Sequence, residues 1–140
     1  MAFTGNYSCN VFKTGILNGS FDFSTDTFYL ALYTNAATLD ETTTAYTTTG
    51  EASGGNYAAG GQVVTATVST ETTPSGSITY VNFSSPSWTG AITARGALIY
   101  KPGDNGAVCV LDFGSNKTST NTFLVTMPAN TSTSALIRLV

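Results

Sequence analysis

Residues 92–114 read ITARGALIYKPGDNGAVCVLDFG, two apolar runs joined by a turn-forming PGDNG, and this stretch constrains the architecture more than any other. Strand alternation puts Ile92, Ala94, Gly96, Leu98 and Tyr100 on one face of the leading arm and Thr93, Arg95, Ala97, Ile99 and Lys101 on the other. In the returning arm Cys109, Leu111 and Phe113 fall together, opposite Val108, Val110 and Asp112. The first face of the leading arm is the expected core side. Both arms nevertheless carry apolar groups on both faces, so the hairpin has to be covered on two sides. Arg95 and Asp112 are the charges inside these arms, Lys101 standing at the end of the leading one, and their register allows a structural ion pair across the hairpin.

The same period of two recurs. Residues 27–34 (TFYLALYT) place Phe28, Leu30 and Leu32 on one face and Tyr29, Ala31 and Tyr33 on the other, as in a central strand. Residues 62–69 (QVVTATVS) and 77–83 (SITYVNF) are expected to pair as a hairpin around the turn-prone TETTPSG at 70–76. Residues 122–127 and 135–140 supply two more strands. The one helical pattern is residues 10–18 (NVFKTGILN), with Phe12 and Ile16 four apart, Ser8 or Asn10 as cap and Gly19 as terminator. The reading is all-β: residues 1–140 as a single antiparallel β-sandwich, jelly-roll or Ig-like, of about seven or eight strands, with one short N-terminal helix.

Residues 35–61 (NAATLDETTTAYTTTGEASGGNYAAGG) do not fit that pattern. Loops longer than about 12–15 residues in compact domains tend to be functional or disordered. This one is rich in Thr and Gly, and Leu39, Tyr46 and Tyr57 are almost its only large apolar groups. They are candidate partner-binding residues. Phe3 and Tyr7, spaced by small polar residues, are two further candidates on an N-terminal arm at residues 1–9 that would order on a neighbour.

Composition narrows the function. Charged residues make up 9% of the 140, and the net charge of −3 is spread over scattered side chains, which argues against direct nucleic-acid binding. No apolar run approaches a membrane span, and the start lacks the basic and apolar regions of a secretory signal, as expected of a chain made and used in the cytoplasm or of an export product already processed. There is no histidine, which removes His-based catalytic triads and histidine metal sites. Two-carboxylate chemistry would have to draw on Asp22, Asp26, Asp40, Glu41, Glu51, Glu71, Asp104 and Asp112, most of which occupy turn or cap settings. No calcium loop or phosphate loop is present, so no catalytic, metal or cofactor-binding residue is assigned. Cys9 and Cys109 do not make a disulfide framework, and Cys109 reads as a buried free thiol.

The succession of GILNGSFDFSTDTFYLALYTNAATLDETTTAYTTTGEASGGNYAAGG, WTGAITARGALIY, VCVLDFG and KTSTNTFLVTMP resembles small virion structural proteins of tailed bacteriophages. That resemblance implies a β-sandwich decoration or cement protein, synthesised in the host cytoplasm and bound to the outer capsid surface. Its implied partners are the major capsid protein and further copies of itself, a trimer favoured over a dimer. It implies no enzymatic activity, cofactor, nucleic acid or membrane. The alternative is a receptor- or carbohydrate-binding module of a tail or head fibre, using Tyr33, Tyr46, Tyr57 or Trp88. An Ig-like adhesion domain is a third reading.

Overall fold

In a computed structural model describing residues 3–139, the expected all-β architecture is present. In chain order the elements are β1 (Tyr7–Ser8), α1 (Asn10–Asn18), β2 (Phe28–Tyr33), β3 (Gln62–Val64), β4 (Ala66–Thr73), β5 (Gly76–Phe83), β6 (Ser87–Thr89), β7 (Thr93–Tyr100), β8 (Ala107–Thr118), β9 (Thr122–Leu124) and β10 (Ile137–Leu139). They form a five-stranded sheet ordered β1-β8-β7-β2-β3, a three-stranded sheet ordered β10-β5-β4 and a two-stranded ribbon of β6 and β9. Every pairing is antiparallel.

The β7–β8 hairpin lies beside β2 in the five-stranded sheet. Cross-strand register puts Tyr29 opposite Tyr100, Ala31 opposite Leu98 and Tyr33 opposite Gly96, so these share one face; Leu30 and Leu32, opposite Ile99 and Ala97, share the other. Both faces are buried from Ala97 to Tyr100, so the leading arm has no single core side. One face packs on α1 and the second sheet through an aromatic cluster. Phe28 lies 5.1 Å from Phe23 and 5.7 Å from Phe83, and Phe12 of α1 lies 5.1 Å from Phe21, in edge or stacked arrangements that add to simple burial. The opposite face is roofed by residues 35–61.

Several local expectations are corrected. Residues 62–69 are not one strand. The chain leaves the five-stranded sheet after β3 and enters the three-stranded sheet at β4, and this corner is fixed at Thr65, whose N–H donates to Ser84 Oγ and whose carbonyl accepts from the Ser84 N–H. Residues 70–73 continue β4, because Thr70 faces Thr79 and Thr72 faces Ser77 in hydroxyl pairs that favour the ladder, leaving Pro74 and Ser75 to turn the chain. Residues 122–127 are strand only as β9, whose partner is β6 around the buried Trp88; residues 135–140 contribute β10, which pairs with β5. Helix α1 has its expected bounds, but its N-cap is Cys9, without a side-chain cap. Neighbouring backbone serves instead: Cys9 N–H donates to Val108 and Asn10 N–H to Glu41. Gly19 closes the helix in the left-handed conformation at φ 81°.

Candidate functional site

The long loop is built around Glu51. Its backbone bridges to Tyr33, and Ala52 N–H donates to Leu32 C=O, so this part of the loop runs along the edge of β2. The Glu51 carboxylate faces inward and accepts three hydrogen bonds: from Tyr46 Oη at 2.6 Å, Tyr57 Oη at 2.6 Å and Gly60 N–H at 2.7 Å. Between Glu51 and β3 the ladder along β2 is interrupted, and Tyr57 Oη accepts the Leu32 N–H there at 2.9 Å. Tyr33 Oη donates to Thr47 C=O at 2.7 Å, and Tyr100 Oη to Gly60 C=O at 2.7 Å. Side-chain hydroxyls thus supply the bonds that a regular strand would have supplied.

Burial first, and the Glu51 carboxylate after it, push the hydroxyls of Tyr46 and Tyr57 above the ordinary tyrosine range. Tyr33 is raised chiefly by burial, and Tyr100 is pushed up to about 12 by burial and then by Glu51. These tyrosines are neutral hydrogen-bond donors at physiological pH.

Beside the cluster lies an open cleft of about 450 Å³, lined by Tyr29, Tyr46, Gly60, Gly61, Tyr100 and Asp104, among others. The three rings are nearly parallel: Tyr46 and Tyr100 have centroids 4.9 Å apart at 16°, and Tyr29 and Tyr100 5.8 Å apart at 24°. A cleft of about 420 Å³ lies between the ends of β8 and β9 near Phe113 and Leu124, but no carboxylate lines it.

The structure places the sequence candidates differently from one another. Leu39 is 2% exposed and Phe3 1%, both enclosed by this chain, so neither offers an apolar side chain to a partner. Residues 3–8 lie against the chain's own sheet, with Tyr7 opposite Val110 in β1 and its hydroxyl on Thr4; Met1 and Ala2 lie outside the described residues. Tyr46 and Tyr57 are half-buried, with hydroxyls committed to Glu51. Tyr33 and Trp88 are buried, which removes them as an exposed stacking platform. Arg95 and Asp112 form an ion pair at a register shift in the hairpin, and the guanidinium sits 5.8 Å from the centroid of the Phe3 ring.

Tyr29 and Tyr100 were not singled out by the sequence, and Glu51 was named only as one of eight scattered carboxylates. The available signal was the shared face of Tyr29 and Tyr33; the partner strand that adds Tyr100 to it comes from long-range pairing. Among the described residues no group of three or more metal-ligating side chains occurs, and no helix is long and apolar enough to cross a membrane. Compared with protein-family models, curated proteins and solved structures, the chain matches none.

Proposed function

We propose that this chain is a non-enzymatic structural protein of a virion, a decoration or cement protein that braces the outside of a phage head by binding across subunits of the major capsid protein, as a homo-oligomer with a trimer favoured over a dimer. The observation that carries the reading is the open edge of β4. This eight-residue strand ends the three-stranded sheet, and its outer side has no partner strand among the described residues. Soluble monomers blunt such edges with lysine, proline or bulges. Residues 66–73 (ATVSTETT) contain Glu71 as their one charge and no proline or lysine, and the β4–β5 register is unbroken. An edge of this kind suits strand addition, in which main-chain hydrogen bonds provide the contact.

Two further features support the reading. In the three-stranded sheet Val68 and Leu139 are more than half exposed and line one apolar strip with Ile16 of α1, and Val68 belongs to the open edge strand itself. The surface of Thr, Ser and Gly makes contacts without burying charge, and repeated copies on a lattice multiply a weak single contact.

Immunogold labelling of intact phage particles carrying this chain tests the proposal by electron microscopy. Label spread evenly over the head is the expected result; label confined to the tail or to sparse projections overturns it.

A further inference from the structure

We infer that the cleft between the long loop and the β7–β8 turn is a binding site for a neutral saccharide, at the level of a single pyranose ring. The cleft lies on the Tyr29–Tyr100 face of the five-stranded sheet, whereas Phe28 and the second sheet occupy the other face, so it is separated from the β4 edge by the thickness of the sandwich. The inference is independent of the capsid role.

The rings are held before any ligand arrives. Tyr100 is buried between Tyr29 and Tyr46 with its hydroxyl on Gly60 C=O, so it holds the stack together, and the half-buried Tyr29 and Tyr46, the latter anchored by Glu51, are the rings a sugar meets. Such preorganisation lowers the entropic cost of binding. The polar groups around the rings remain available. Asp104 is exposed in the hairpin turn and Tyr29 is half-buried, and both line the cleft. A carboxylate accepts two hydroxyls of one sugar, and an aromatic ring receives the apolar C–H face of a pyranose.

The lining also selects the ligand class. No Lys or Arg lines the cleft, which disfavours phosphates and acidic sugars. Cages for quaternary ammonium groups surround the cation with several ring faces. Here the rings lie parallel to one another and form no box. The volume is within the range of small-molecule sites.

The test is saturation-transfer NMR on the full chain with the methyl glycosides of glucose, galactose, mannose and N-acetylglucosamine, with choline and a proline-rich peptide as competitors. At least one glycoside is expected to receive saturation, strongest on the C–H face of the ring. Asp104→Ala, at an exposed turn, and Tyr29→Phe, which keeps the ring, are each expected to weaken that glycoside about tenfold. No transfer to any glycoside, transfer unchanged in both variants, or displacement by choline or the peptide at lower concentration than the sugar overturns the inference.

Discussion

At the scale of single residues, the loop depends on a position that admits no side chain. Gly61 has φ 81°, and a Cβ there would collide with the Leu30 carbonyl oxygen. Gly19 has the same φ of 81° at the end of α1 but opens onto free space. Gly61→Ala is therefore expected to lower stability by at least about 3 kcal/mol and Gly19→Ala by about 1 kcal/mol, read from urea midpoints, because the first combines backbone strain with a backbone clash and the second has strain alone. The Arg95–Asp112 pair is mostly buried, with side-chain exposures of 13% and 14%, and Asp112 Oδ1 also accepts the Gly114 N–H. Asp112→Ala is expected to cost about 2 kcal/mol, since it removes the carboxylate partner of a mostly buried guanidinium beside the Phe3 ring. A double-mutant cycle with Arg95→Ala should return a coupling of about 1 kcal/mol; zero coupling would show that the pair does not fix the hairpin register. Arg95 and Asp112 were legible in the sequence because they are the charges in otherwise apolar arms. Glu51 was not, because a carboxylate in a Thr-rich loop looks solvated until three donors are seen around it.

At the scale of elements, the junction of β1, α1 and β8 is closed by backbone hydrogen bonds and encloses both thiols. Cys9 and Cys109 are free and buried. Burial first, with the nearby Asp40 carboxylate adding, pushes Cys9 up to about 11, and burial together with the neighbouring Cys9 raises Cys109. Neither is expected to react with a disulfide reagent in the folded chain at neutral pH, and both should react in denaturant. Fast labelling of one thiol per native chain would mean that this junction opens without global unfolding. Elements whose periodicity was strong were legible within a residue or two: β2, the β7–β8 arms and α1. The breaks were not. Residues 62–73 (QVVTATVSTETT) favour extended structure throughout, and nothing local marks Thr65 as the point where the chain changes sheets.

At the scale of the whole molecule, the loop tyrosines link stability to alkaline pH. Tyrosine ordinarily ionises near 10, and Tyr100 in the folded chain is held at about 12. Below about pH 10 its hydroxyl keeps the proton whether the chain is folded or not; from about pH 10 to 12 the unfolded chain releases that proton while the folded chain retains it, so stability falls over that interval. Tyr33, Tyr46 and Tyr57, shifted in the same direction, add to the fall. Urea midpoints measured upward from neutral pH should drop across this window, with the part of the tyrosinate absorbance that belongs to these four loop-facing tyrosines appearing together with unfolding. Tyr100→Phe should make the drop shallower, and an unchanged slope would show that Tyr100 ionises without opening the loop.

The sequence by itself determined the class of this protein. Short runs apolar on both faces, rich in β-branched and aromatic residues and bounded by turn residues, such as residues 27–34 and 92–100, point to strands of a layered β structure, and the lack of histidine removed His-based triads and histidine metal sites. Tertiary structure decided what covers those faces. The long loop lies on the chain's own sheet because Glu51 meets Tyr46, Tyr57 and Gly60 there, and the tyrosine cleft exists because β2 and β7, far apart in sequence, bring Tyr29 and Tyr100 together. Periodicity is a local property and survives in any short window. The pairing of distant strands depends on the closure of long loops against one another, and no short window contains it.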